Sequence, residues 1–212
     1  MAVAAPTAPP VTAAETAATD AALRPMVVEQ LRHAHALQVG ALQMFDGMLR
    51  AVRSERTLPE VADLLDKMLH AFEQHRQETE RHEREVRARL VALGARPARG
   101  AELGMRLAAR ARVLLGRRGG QNHGANARDA YVFEHLEIAT YHLLEKVAER
   151  AGDHETAELA RTHRGDNCEM GDKIRRNWEN VLSLLLASQG VPPARERQPE
   201  MDAPQPTTRG AC

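Results

Sequence analysis

Leu31, His35, Gln38, Leu42, Phe45 and Leu49 recur at steps of three and four, which puts them on one continuous face of a helix. A stripe of that length must be buried against other helices. The spacing returns downstream. Val61, Leu64, Leu65, Met68, Leu69 and Phe72 form a dense apolar run, resumed at Val86, Leu90 and Leu93. Pro59 suits the first turn of this second helix, and Gly94 stops it. A third stretch ends at Gly152, and Asp153 is placed to cap a fourth that carries Leu159, Met170, Ile174, Trp178, Val181, Leu182 and Leu185. The pattern predicts helices over about 25–52, 58–93, 127–151 and 154–188. Abundant alanine, an excess of Arg over Lys and only 3% aromatic residues agree with helix and argue against a β-sandwich.

The connections set the topology. Short links near 53–58 and 151–153 make antiparallel hairpins, whereas the stretch from Gly94 to Arg128 is long enough to cross the length of a bundle. Within it, Met105, Leu107, Val113, Leu114 and Leu115 suggest one short Arg-rich helix. The expected fold is all-α, a ferritin-like antiparallel four-helix bundle over 23–190 with one long crossover. Residues 1–22 and 191–212, rich in Ala, Pro and Thr or in Pro, read as disordered tails.

Lys+Arg and Asp+Glu are both 29, so no whole-surface field favours nucleic acid, and aromatic residues are too sparse to stack bases. No apolar run approaches the ~20 residues that span a bilayer. Two cysteines, Cys168 and Cys212, give neither a disulfide framework nor a zinc pattern. Cys168 reads as a small buried filler rather than a redox centre. Without a secretory start, the expected setting is cytoplasmic.

His75, Glu78 and His82 share one side of the second helix and interrupt its apolar stripe. A buried carboxylate beside two imidazoles is costly unless paired or metal-bound. The plainer alternative is a solvated face, since Glu73, Glu80, Arg81, Glu83 and Arg84 crowd the same segment. On the third helix, Glu134 and Glu137 are i, i+3 neighbours with Tyr141 one turn beyond. Carboxylates at that spacing can bridge metal ions, and oxygen plus imidazole donors suit iron or manganese. The other histidines, His33, His35, His123, His142 and His154, show no site-like spacing.

The stretches "AHALQVGALQMFDGML" (34–49), "HAFEQHRQETERHE" (70–83) and "NARDAYVFEHLEIATYHLLEKVAERAGD" (126–153) resemble the YciE/YciF-type ferritin-like proteins of bacterial stress responses. The resemblance implies a four-helix bundle, a homodimer, and metal ligands from core-facing carboxylates and histidines. It carries onto His75, Glu78, His82, Glu134 and Glu137, with Asp166 as a fourth-helix carboxylate. Two positions depart from it: Gln38 stands where the first helix usually supplies a glutamate, and Asn167 where the fourth usually supplies another.

Two ions bring four positive charges, which di-iron sites answer with about four carboxylates and two histidines. Glu78, Glu134 and Glu137 give three, Asp166 a shorter fourth, and His163 is a possible substitute ligand. A weakened dinuclear site, a one-ion site and no site all fit that list. Two functions follow as expectations. One is a metal-binding protein, with iron or manganese, in iron handling or oxidative or general stress. The other is a metal-free bundle serving as a dimeric or partner-binding scaffold. No catalytic residue is assigned.

Overall fold

The computed structural model describes residues 13–53, 59–98, 100, 104 and 123–191, and every regular element among them is helical. In chain order these are α1 (Ala13–Arg53), a 3-10 turn (Pro59–Val61) leading into α2 (Ala62–Ala92), α3 (His123–Arg150), α4 (His154–Arg176) and α5 (Trp178–Ser188). The short helix expected in the crossover, and the tails at 1–12 and 192–212, lie outside the described residues.

Two boundaries differ from expectation. α1 begins at Ala13, not near Pro25, so 13–22 is helical and not tail. The stretch is alanine-rich, the strongest helix-forming composition, and Pro25 sits within the helix without ending it. The long fourth helix breaks at Asn177, whose side-chain amide donates to the carbonyl of Lys173 at 2.7 Å. An asparagine that bonds its preceding turn competes with the helical ladder.

Cross-helix pairs reveal the direction of each element. His35 meets Glu83, Asp46 meets Arg76, and Arg53 meets Glu73, so α1 and α2 are antiparallel. His82, Glu85 and Arg89 of α2 run against the descending order of α4, with His82 on Asp166, Glu85 on His163 and Arg89 on Thr156. α3 and α4 are antiparallel as well, with Glu145 on Arg161 and Gly171 packed beside Glu134. Between α2 and α3, however, His75 faces Glu134 and His82 faces Tyr141, so both partners advance by seven residues. These two helices are parallel. That is the relation expected of the second and third helices in a bundle with one long crossover.

The turn between α3 and α4 is tightly specified. Gly152 takes φ +66°, a value that favours glycine, and Asp153 accepts from the backbone N–H of Thr156 at 3.0 Å. Arg89 of α2 clamps the same carboxylate at 2.6 Å.

The interior is layered. One apolar cluster gathers Met44, Phe45, Met48, Leu49, Phe72, Met170 and Ile174. A second gathers Val27, Leu31, Val86, Leu90, Tyr141 and Leu144. Between them lies a buried polar layer containing Gln38, His75, Thr79, His82, Glu134, Glu137, His163 and Asn167. Apolar packing on both sides holds that layer away from water.

Candidate metal centre

Glu134 and Glu137, one turn apart on α3, are 0% and 1% exposed. His75 reaches them from α2. Its Nε2 lies 2.9 Å from Glu134 Oε1, and its Nδ1 lies 3.1 Å from Glu78 Oε2. Phe45 meets the His75 ring edge-on at 5.3 Å between centroids, fixing the imidazole from the apolar side. From α1, the Gln38 amide donates to Glu137 Oε1 at 3.0 Å and to the Tyr141 hydroxyl at 2.9 Å. Four sequence-predicted residues, His75, Glu78, Glu134 and Glu137, thus meet in one place.

His82 and Asp166 form an adjacent cluster two turns along α2. His82 Nε2 lies 2.9 Å from Asp166 Oδ2, and Arg81 holds the same oxygen at 2.6 Å. The His82 and His163 rings stack at 3.9 Å, and His163 Nε2 lies 2.6 Å from Glu85. Tyr141 meets both rings edge-on. The six predicted residues are therefore arranged as a group of four and a group of two. Among the described residues, no three His, Cys, Asp or Glu side chains already stand in an arrangement that holds an ion. Each imidazole is instead drawn onto its nearest carboxylate.

The electrostatics follow from burial and pairing. Burial pushes the His75 imidazole down, but the charge of Glu134, aided by Glu78 and Glu137, carries it up to about 10. His75 is a cation at neutral pH. Burial holds the Glu137 carboxyl well above the usual range, and Glu134 beside it adds to the effect; His75 and Asn167 offset only part. Tyr141 is likewise pushed up by burial and by Glu137, so its hydroxyl keeps its proton. The hydrogen bond with His75 lowers Glu78, and the hydrogen bond with His82 lowers Asp166. Burial and the neighbouring His82 take His163 down to about 4, so it is neutral.

These shifts predict a pH dependence. The His75 value is raised above 6.5, so its stabilisation is full below about pH 6.5 and is lost as pH climbs through about 10. The raised Glu137 carboxyl acts in the same direction, because ionising it in the folded core is unfavourable. Chelator-treated protein should therefore melt at progressively lower temperature between pH 6.5 and 9.5, and Glu137→Gln should flatten the slope. A melting temperature constant over that range would contradict the assignment.

Whether these residues suit a metal is tested by what the core leaves unsatisfied. Both Glu134 oxygens, His75 Nε2, Gln38 Oε1, His82 Nδ1 and His163 Nδ1 are buried without a hydrogen bond. Glu134 and His75 form an ion pair at 2.9 Å. Buried polar atoms normally find partners, and so many oxygen and imidazole atoms in one layer match the donor chemistry of a divalent cation. Charge sets the number. Ionised around a bound ion, Glu78, Glu134 and Glu137 would supply three negative charges against the two positive charges of a single ion. A second ion would need Asp166, which Arg81 already holds. The donor set fits one ion better than two.

Sequence reasoning missed some members of this layer. His35, read as scattered, is fully buried and lies 2.8 Å from Glu83, which is 7% exposed and not on a solvated face. The signal was present: His35 is three residues before Gln38 on the same apolar face. Cys168 is half-buried and disulfide-bonded, so it is neither a buried filler nor a free thiol, contrary to the sequence reading.

Comparison with known proteins agrees with this architecture. A crystal structure of a protein from Xanthomonas campestris pv. campestris str. ATCC 33913 superposes with a TM-score of 0.62 at 22% identity, covering 80% of this chain and 99% of that one. At that identity the likeness speaks to the fold. No curated protein matches. Among the described residues, no helix is long and apolar enough to cross a membrane. The family model described as "Domain of unknown function (DUF892)" matches residues 22–185, the whole bundle with its crossover, and the chain belongs to that family.

Proposed function

We propose that this chain is a ferritin-like metal-binding protein of the YciE/YciF type. Its centre holds one divalent ion, iron or manganese, with His75, Glu78, Glu134 and Glu137 as ligands. The observation that carries this reading is Glu134, fully buried with neither oxygen hydrogen-bonded. An ion bound there supplies one-electron redox chemistry toward oxygen or peroxide if it is iron. The chain's own part is to bind the ion, with His75, Glu134 and Glu137 buried and Glu78 half-exposed at the edge of the site. Apolar layers close the site above and below, Gln38 orients Glu137, and Tyr141 keeps a protonated hydroxyl beside it. His82 and Asp166 flank the site, with Arg81 holding Asp166 aside. We place the protein in iron handling or in the oxidative or general stress response, as the resemblance implies.

Thermal unfolding tests this directly. Mn(II) or anaerobic Fe(II) at one hundred times its dissociation constant stabilises by about 2.7 kcal/mol. For a chain of this size, that raises Tm by roughly 5–10 °C. Glu137→Ala should abolish the rise. No shift with either metal would refute the reading.

A metal-free scaffold is the second reading, and Gln38 with Asn167 favours it, because both are neutral amides where carboxylates are expected. Either reading is compatible with a homodimer. The apolar run Val181, Leu182, Leu184, Leu185 and Leu186 is the natural candidate contact from the sequence. Leu184 is instead buried in the chain's own core, while Leu182 is 46% exposed and Trp178 39%. That leaves a smaller contact around Trp178 and Leu182. Light scattering should give twice the chain mass at micromolar concentration, and Leu182→Glu should lower it. A monomer mass for wild type would exclude the dimer.

A further inference from the structure

Beside the metal centre, a half-open groove of about 360 Å³ runs between α2, α4 and α5, with the start of α3 as its floor. Its walls are apolar, built from Leu64, Met68, Phe72, Met170, Ile174 and Leu184. The volume lies at the lower end of the range for small-molecule sites, ~300–1,000 Å³. What marks the groove is its charge. The chain has three lysines, Lys67, Lys146 and Lys173, and two of them, Lys67 and Lys173, line it. They approach from different helices, and both are exposed. His70, Asn177 and Asn180 add polar edges, and no carboxylate is among the described lining residues. Elsewhere the surface cations of this chain are mostly arginines tied to acids, such as Arg76 to Asp46, Arg81 to Asp166 and Arg161 to Glu145. Among the described residues neither lysine of the groove is in a salt bridge, although the Lys173 charge is near enough to help lower the Glu78 carboxyl.

An apolar trough edged by two ammonium groups, with no carboxylate in its described lining, is complementary to a molecule with a hydrocarbon body and one anionic end. We propose that this groove binds a medium-chain fatty acid, its alkyl chain along Met68, Phe72, Met170 and Ile174 and its carboxylate between Lys67 and Lys173. A neutral apolar ligand would leave the lysines without a role. A cationic amphiphile would be repelled. The inference is independent of the metal assignment, since none of His75, Glu78, Glu134 or Glu137 is needed for it.

The test is calorimetric titration of the full chain, in chelator, with octanoate, decanoate and dodecanoate below their micellar concentrations, and with decanol. Burial of each methylene contributes ~0.8 kcal/mol, so affinity should rise about fourfold per added methylene until the groove is filled. Decanoate should bind more tightly than decanol. Lys67→Met together with Lys173→Met should remove that preference while leaving decanol binding in place. Ala71→Trp, which fills the trough, should abolish binding of both without lowering the helical content. Affinity independent of chain length, equal binding of decanol and decanoate, or no binding because another segment or a second copy occupies the groove would each overturn the proposal.

Discussion

Gln38→Glu should convert a mildly metal-dependent bundle into a strongly metal-dependent one. Gln38 is fully buried and donates to Glu137 at 3.0 Å and to Tyr141 at 2.9 Å. A carboxylate in its place removes the donor and sets an acid against Glu137, whose own ionisation is already disfavoured by burial and by Glu134. The metal-free variant should lose on the order of 2–4 kcal/mol, the scale of an uncompensated buried charge. Metal should more than restore it, because a fourth carboxylate brings the site toward the charge count of a two-ion centre. Chemical denaturation with and without Mn(II) reads both effects. A variant that is equally destabilised with and without metal would place Gln38 in a core position remote from any ion.

The second large effect is at His75. Its imidazolium is the cation closest to Glu134, which is 0% exposed. Truncation in His75→Ala leaves that carboxylate buried and unpaired, at a cost of roughly 3–5 kcal/mol to the metal-free protein. His75→Ala combined with Glu134→Ala should recover much of the loss, since the orphaned charge is removed with its partner. Purely additive losses in the double variant would mean that the two residues act as packing volume only. Denaturant midpoints for the single and double variants, measured in chelator, separate the outcomes.

The bundle was legible because its determinants are local. Apolar spacing defines the buried faces, Pro59, Gly94, Gly152 and Asp153 mark ends, and loop length alone demands a long crossover. The break at Asn177 was not legible, since it depends on one asparagine bonding the preceding turn within an otherwise continuous apolar pattern. The start of α1 was misjudged because alanine supplies helical propensity without an apolar stripe. At the site, spacing along α2 and α3 singled out His75, Glu78, Glu134 and Glu137, which the structure brings close together. It did not show that His82 and Asp166 pair with each other, because that depends on how α4 is registered against α2. Nor did it reveal that Glu83 is buried. A glutamate amid charged neighbours looks solvated until His35, 48 positions earlier, is found against it.

Metal content measures the central claim most directly. The chain, purified without an affinity tag, stripped with chelator, equilibrated with Mn(II) and freed of unbound metal, is assayed by elemental analysis. Wild type should retain close to one ion per chain, Glu134→Ala and Glu137→Ala close to none, and Gln38→Glu more than wild type. Wild-type protein that retains no more metal than the two alanine variants would contradict a metal centre in this layer.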